Sequence, residues 1–523
     1  MTDESKIAYD IAVVGYGPVG MATAALLGRA GYRVVVLERY SGKYNLPRAA
    51  IFDDETMRTF AQLGFAESLL PKLHVQHNYE WRNGAGELLI EHDFAEVGAS
   101  GWAEWYMMYQ PDLEDALDAA ARDTGLVEVR FDSRVTGYTE VDGGVVVQTV
   151  DGAVGAKYVV ASDGGNSFTR QWLGIGATDL GFSEPWMVCD FVLKGDHDLP
   201  MARQVCDPAQ PISIISLGPT HHRFSFALNS VEDFETERRP EAVWPRVARY
   251  LQPDQAELQR VATYTFRSVL ADSWRLGRIL LAGDAAHQMP PFLGQGMCSG
   301  IRDACSLAMR LDLILTGAAD EAILDSYQSE REPHVEAVIR KGIELGRVQT
   351  LRDPEAAAVR DAALLANRAA HQDPEKIRFP GIGPGIVSAS PGGGELFVQG
   401  IVQSAGRTGR FDELFGYGWF LLGTTDGALS AAAGTPVAAR FAGVLVLQAA
   451  GAPGHAQDAV VDVNGLYAAW FAEHGATAVV VRPDFRVFGT ASSPEQLSEL
   501  LDELDHALHP SPAGERREGA LLS

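Results

Sequence analysis

The stretch "YDIAVVGYGPVGMATAALLGRAGYRVVVLE", Tyr9 to Glu38, decides the fold. A short apolar run ends in glycines, a helix-forming segment follows, and a β-branched run closes the unit. This reads as strand, helix, strand and implies a parallel sheet. Gly15, Gly17 and Gly20 stand at the turn in G-x-G-x-x-G spacing, and Glu38 ends the second strand 18 residues after Gly20. Gly15 permits the tight turn, Gly17 lets the backbone approach a pyrophosphate at the helix N-terminus, and Gly20 allows helix and strand to pack closely. Glu38 can accept hydrogen bonds from a ribose. A glycine turn kept for packing alone leaves the strand-end acid unexplained, so the unit reads as a dinucleotide site. The motif by itself does not separate NAD from FAD.

Two later segments repeat the theme. "RILLAGDAAH" (278–287) runs an apolar strand into Gly283 and Asp284, ahead of a helix expected to start near Cys298. An aspartate at such a strand end can hold a sugar hydroxyl, while the first N–H groups of the following helix face an anion. "YVVASDGGNSFTRQWLG" (158–174) ends a strand in Asp163 and Gly164. Ligand-facing strand ends so far apart in sequence suit one long cofactor, and FAD has that length.

Length and charge bound the remainder. A chain of 523 residues suggests two to four domains. Its net charge of -26, with no long basic run, argues against nucleic acid or an anionic membrane as partner. No run is apolar enough to span a bilayer, and "MTDESKIAYD" lacks the pattern of a secretory signal, so a cytoplasmic location is expected. Cys189, Cys206, Cys298 and Cys305 show no C-x-x-C spacing, which points to neither a zinc site nor a disulfide framework, and no metal is expected.

The expected class is α/β, with a Rossmann-like domain in two parts, 1–185 and 271–377, the second carrying long helices. An inserted, mostly antiparallel β-sheet substrate domain occupies 186–270, where segments such as "QPISIISLG" and "HRFSFALN" alternate. Residues 378–394 read as a Gly- and Pro-rich linker, 395–508 as a small α/β domain, and 509–523 as a disordered tail. The C-terminal domain has no cysteine, which excludes thiol redox chemistry there.

The glycine motif, the Asp163-Gly164 motif and the Gly283-Asp284 motif, in that order, resemble the single-component (class A) FAD-dependent aromatic hydroxylases. Within them "PRAAIFDDETMRTFAQLG" (47–64), "QPDLEDAL" (110–117) and "GQGMCSGIRDA" (294–304) most resemble the 3-(3-hydroxyphenyl)propionate hydroxylase branch. That branch carries a C-terminal thioredoxin-like domain with a phrase like "VVVRPDF" (479–485), so the likeness covers the whole chain.

The resemblance implies bound FAD, NAD(P)H as co-substrate, O2, and a small aromatic substrate hydroxylated through a flavin C4a-hydroperoxide. It implies that Glu38 binds the adenosine ribose, Arg48 and Gln110 the phosphates and ribityl region, and Asp284 a ribityl hydroxyl. Asp163 belongs to a motif tied to both FAD and NAD(P)H. The loop from Pro290 to Gly296, with Pro291 and Gly294 in it, is expected along the isoalloxazine, with the backbone N–H groups of Met297 and Cys298 at its N1 and O2 edge. Pro18, Arg39, Val135 and Gly283 complete the expected cofactor set, and a homodimer is a family expectation.

On this reading the flavin performs the chemistry, and no side chain identifies itself as a general base. Pro291, Phe292 and His222 are the substrate-side candidates. His221 and His222 cannot both serve one site, because successive strand residues face opposite ways. His287 reads as scaffold. Asp53 and Asp54 are either flavin neighbours or a dipole-favoured pair at a helix N-terminus, and "WAEWYMMYQ" (102–110) is either pocket wall or core. Baeyer-Villiger oxygen insertion on the same scaffold and a non-catalytic flavin-binding module are the alternatives.

Overall fold

The computed structural model describes residues 7–372, 374–432, 435–449 and 460–510. Most of the expected disordered tail, 511–523, lies outside the described residues. Two compact units emerge, one of residues 1–305 with 335–379 and one of 306–334 with 380–523.

In the first unit the strand Ile7–Val14 pairs in parallel with Val34–Leu37 and with Gly152–Ala161, and the helix Pro18–Arg29 forms the crossover. Val34–Leu37 is buried at every position, as expected of a parallel strand covered on both faces. Ile279–Leu281 adds in parallel to Gly152–Ala161, and Val127–Arg130 to Val34–Leu37. The register aligns Val14 with Ala161 and Ala161 with Leu281. The three motif strands therefore end in one row, and Gly15, Ser162 and Ala282 leave the sheet side by side. That row positions the site.

The second sheet runs Ala256–Ala271, Ala177–Leu193, His221–Ala227, Ile212–Ser216 and Ala202–Cys206, each neighbour antiparallel. It extends beyond the expected 186–270. The long strand begins at Ala177, and a hairpin of Tyr79–Asn83 and Leu88–His92 joins in parallel to Ala202–Cys206. No local pattern in 79–92 announces a partner strand more than a hundred residues away. One face packs Met187, Phe191, Phe224 and Phe226 against Val243 and Val247 of the helix Pro240–Val247. Because strand side chains alternate, Asp190, Arg223 and Ser225 face the other way.

The expected single block 271–377 is also divided. Met309, Leu313 and Ile323 share a core with Leu421, Val480 and Leu497, so residues 306–334 group with the C-terminal chain. Continuous helices, Gly296–Leu315 and Ser326–Gln349, hide that division from a linear reading. Among the described residues from 371 to 400 there is no helix or strand.

The second unit holds a seven-stranded sheet in which Phe441–Ala449, Trp419–Gly423, Ala478–Val481 and Val487–Ala491 are successive neighbours. The first pair is parallel and the others antiparallel, which is the thioredoxin-like arrangement. The phrase "VVVRPDF" has a structural task in this unit. Fully buried Arg482 pairs with Asp484 at 2.7 Å and Glu330 at 2.9 Å, and Arg310 reaches Glu330 at 2.7 Å. Burial alone raises the Glu330 carboxyl, but the two guanidiniums prevail and lower it to about 2.

Candidate active site

The aligned strand ends open on a cavity of about 370 Å³. The first sheet and its helices contribute Gly17, Pro18, Ser162, Gly164, Ala282 and Asp284; Arg48, Gln110, Pro291, Phe292, Gly294, Gly296 and Met297 come from the loops and helix starts beside them. The second sheet contributes Trp186, Val188, Gln204, Ser213, Arg223, Ser225, Arg260, Tyr264 and Phe266. Thus thirteen dispersed positions and a sheet face meet in one space only after folding.

Gly17 is the N-cap of Pro18–Arg29, with Pro18 at the first helical position. A Cβ built on Gly17 meets no heavy atom within 4 Å, so the glycine keeps open space at a helix N-terminus where N–H groups have no intrahelical partner. At Gly20, by contrast, a Cβ would stand 2.1 Å from the Gly15 carbonyl oxygen. One glycine of the motif clears room for a ligand and another for the fold itself.

Gln110 orders the neighbouring segment. Its Oε1 accepts from the backbone N–H groups of Arg48 at 2.9 Å and Ala49 at 2.6 Å, while its Nε2 donates to Glu114 at 2.6 Å. The Arg48 guanidinium lies 4.3 Å from the centre of the Tyr44 ring. Asp284 is open to the cavity yet enclosed by protein. Burial raises its carboxyl, while His287 and Arg48 act in the opposite direction. The helix Gly296–Leu315 begins at the cavity with Gly296 and Met297. Two helix starts, a guanidinium and a carboxylate at one cavity are of the chemistry that phosphates, sugar hydroxyls and an anionic ring edge of FAD require.

The remaining expected residues fall elsewhere. Glu38 is buried and accepts from the backbone N–H groups of Tyr16 at 2.7 Å and Tyr40 at 3.0 Å. Arg39 is exposed beside the Tyr40 ring, and Val135 is buried at the start of the strand Val135–Val141. Gly15, Gly20 and Gly283 shape the turns behind the cavity, and none of these six lines it. The Asp163 carboxylate accepts from the Ser167 hydroxyl at 2.5 Å and the Thr169 backbone N–H at 2.9 Å, tying down the helix Phe168–Trp172. Cys298 is buried behind Met297, and burial pushes its thiol up to about 12.

His222 is corrected. It does not line the cavity, its Nε2 lies 3.0 Å from the Pro200 carbonyl, and burial lowers its imidazole to about 4. The strand alternation that leaves Arg223 at the cavity turns His222 to the packed face. His287 is buried with Nε2 2.6 Å from Asp303. Asp53 caps the helix Asp54–Gln62 and pairs with Arg302, as does Glu55, so the helix-terminus reading of this acid pair describes it. Trp105 of "WAEWYMMYQ" lines the cavity and stacks on Phe94, whereas Trp102 and Tyr106 are buried.

Sequence reading missed a charged cluster. Asp190 lies between Arg223 and Arg260 on adjacent strands; Arg223 Nε donates to Asp190 Oδ1 at 2.6 Å, and Arg260 Nη1 to Oδ2 at 3.3 Å. Both guanidiniums also hold the Pro47 carbonyl, and Arg223 holds that of Arg48. The signal was present as polar residues alternating with phenylalanine in "HRFSFA", but a single strand does not disclose which face meets a ligand.

A dinucleotide fold whose cavity joins FAD-type binding elements to an aromatic sheet face defines a flavoprotein acting on a small ligand. Residues 8–342 match the FAD binding domain family and 394–507 the HcaD C-terminal domain family. The chain is 50% identical to a probable NADH-specific resorcinol 4-hydroxylase of Rhodococcus jostii (strain RHA1), over 97% of this chain and 96% of that one. It is 31% identical to a 3-(3-hydroxy-phenyl)propionate/3-hydroxycinnamic acid hydroxylase of Mycolicibacterium gilvum (strain PYR-GCK), over 97% and 93%. In fold it matches aklavinone-11 hydroxylase, solved with FAD and aklavinone, at TM-score 0.75 and 24% identity over 96% of this chain and 99% of that one. The flavin-dependent monooxygenase PieE matches at TM-score 0.79 and 21% identity with the same coverage. The chain belongs to the FAD-dependent, NAD(P)H-using aromatic hydroxylases. Among the described residues no helix is long and apolar enough to cross a membrane.

Proposed function

We propose that this enzyme hydroxylates a small phenol of the resorcinol class, with NADH as reductant and O2 as oxidant. The observation that carries the proposal is one cavity in which the cofactor-facing strand ends meet an aromatic sheet face bearing a few polar groups. The 50% identity to the resorcinol hydroxylase relative supports the substrate class and the nucleotide.

When bound, FAD supplies the redox chemistry, taking hydride from the nicotinamide and delivering one atom of O2 to the ring while the other leaves as water. The chain binds, orients and shields. Gly17 and Pro18 would present a helix N-terminus to the phosphates, Arg48 would add a guanidinium, and Asp284 would accept from a ribityl hydroxyl. With FAD bound, the N–H groups at the start of Gly296–Leu315 would stabilise negative charge on the reduced ring without a side-chain acid. Phe292 meets Phe182 at 5.6 Å and Trp186 at 5.8 Å, both edge to face, forming an apolar wall that excludes water.

The test is anaerobic flavin reduction by NADH and by NADPH across a panel of phenols, followed by product mass. Acceleration by resorcinol with NADH and a product one oxygen heavier are expected. Reduction indifferent to every phenol, or oxygen inserted beside a carbonyl, overturns the reading. A homodimer in the cytoplasm goes with this family reading; light scattering of the purified holoenzyme and cell fractionation check the two points.

A further inference from the structure

Resting on the phenol reading above, this inference concerns how the ring's oxygen is received. Asp190 is fully buried, and Arg223 and Arg260 on its two flanking strands are each 8% exposed. Asp190 accepts from Arg223 at 2.6 and 3.1 Å and from Arg260 at 3.3 Å. Two guanidiniums sharing one carboxylate leave one uncompensated positive charge in a site largely removed from water. Nη1 of Arg260 is engaged by Asp190 and the Pro47 carbonyl. Its Nη2 is buried with no hydrogen-bond partner, and Arg260 lines the cavity. The Tyr44 and Tyr264 rings, 5.9 and 5.5 Å from the guanidinium, restrict its swing. The Arg48 guanidinium shares the Tyr44 ring, 4.3 Å from its centre.

A buried cation with a vacant donor at a ligand cavity is matched by an anionic oxygen. The geometry points to Arg260 as the residue that receives the substrate's phenolate oxygen at Nη2, with Asp190 and Arg223 as positioning residues. The phenol's O–H bond breaks as the ligand enters, its proton goes to solvent, and the electron pair stays on the oxygen facing Arg260. Electron density then rises at the ortho and para carbons of the ring. This accounts for activation of the ring without a general base. Asp190 and the Pro47 carbonyl occupy Nη1 and so fix the guanidinium plane, leaving Nη2 for the ligand. The same two arginines hold the Pro47 and Arg48 carbonyls, which ties the oxyanion position to the segment carrying the Arg48 side chain.

The experiment titrates the holoenzyme and its Arg260→Lys and Arg260→Gln variants with resorcinol and with resorcinol dimethyl ether. Proton release is read with an indicator in weak buffer, and the phenolate band in the near ultraviolet. An ordinary phenol ionises near pH 10, so at about pH 7.5 the wild type is expected to release close to one proton per resorcinol bound. Release vanishes above roughly pH 10, where the free ligand is already ionised. Arg260→Gln is expected to abolish release and band and to weaken resorcinol about ten-fold or more, with binding of the dimethyl ether unchanged. Arg260→Lys, which keeps the charge, retains part of both signals. If Arg260→Gln fails to fold, Arg260→Met, which removes the same charge and leaves the Asp190–Arg223 pair intact, takes its place. A wild type that binds resorcinol without releasing a proton, or a glutamine variant that releases it undiminished, overturns this inference and leaves the hydroxylase reading standing. A wild type that binds neither resorcinol nor 3-(3-hydroxyphenyl)propionate overturns both.

Discussion

Gly300→Ala tests whether the two helix starts at the cavity owe their positions to one close contact. Gly300 lies on Gly296–Leu315, and a Cβ there would stand 2.4 Å from Val19 Cγ2 and 3.2 Å from the Gly283 Cα. Carbon atoms in contact prefer about 3.5–4.0 Å, so the added methyl demands a displacement on the order of 1 Å. Overpacking of this kind costs about 1–3 kcal/mol, or roughly 1–3 °C in melting temperature for a chain of this size. The displaced parts are the first turn of Pro18–Arg29 and the Gly283 turn beside Asp284, so FAD affinity should fall by at least roughly ten-fold. Flavin fluorescence quenching on titrating apoprotein with FAD measures the affinity, and thermal melts of apo and holo forms measure the stability. Val19→Ala removes the methyl groups in the way, so the Val19→Ala, Gly300→Ala double variant should recover most of both losses. Gly17→Ala provides the contrast, since its Cβ meets nothing within 4 Å. It should leave the apoprotein's melting temperature unchanged while weakening FAD. A Gly300→Ala protein with wild-type affinity and melting temperature would refute the reasoning.

Three more outcomes are expected. Burial first, and Asp53 next, raise the Asp54 carboxyl to about 7, against an accepted bond from the Ser100 backbone N–H. Its folded pKa exceeds the unfolded value, so its contribution to stability falls as pH rises from about 4 to 7. Allowing for the solvent contact it retains, we expect a loss of about 2 kcal/mol. Asp54→Asn should remove that part of the slope in melts from pH 4 to 8; an unchanged slope counts against it. Arg302→Met strands buried Asp53 and Glu55 and should cost about 3–5 kcal/mol in denaturant unfolding. Adding Asp53→Asn and Glu55→Gln should restore much of that loss. His222→Phe removes the bond to the Pro200 carbonyl and should lower stability by about 1 kcal/mol. Because His222 does not line the cavity, kcat and KM for the phenol should stay within about two-fold, and a large fall in kcat would return it to the site.

Local chemistry made much of this protein legible in one dimension. The βαβ unit follows from apolar runs, a glycine turn and a strand-end acid lying within 30 consecutive residues, so its warrant is short-range. Arg48, Gln110, Asp284 and Met297 were found through motifs, and all four line the cavity. Glu38, Arg39 and Val135 came from the same reasoning and lie outside it. His222 was misplaced because alternation gives two faces and does not say which one is filled by the helix Pro240–Val247.

The amino-acid sequence by itself determined the dinucleotide fold, the order of the three motifs, the FAD requirement and the thioredoxin-like C-terminal domain. Each depends on residues close together in the chain or on phrases shared with a family. Only the tertiary structure decided that the hairpin at 79–92 completes the second sheet and that residues 306–334 pack with the C-terminal chain. It alone also brought Asp190, Arg223 and Arg260 around the Pro47 carbonyl. Those outcomes depend on register and on pairing between strands roughly 30 to 120 residues apart, set by which faces exclude water together and not by any local run of residues.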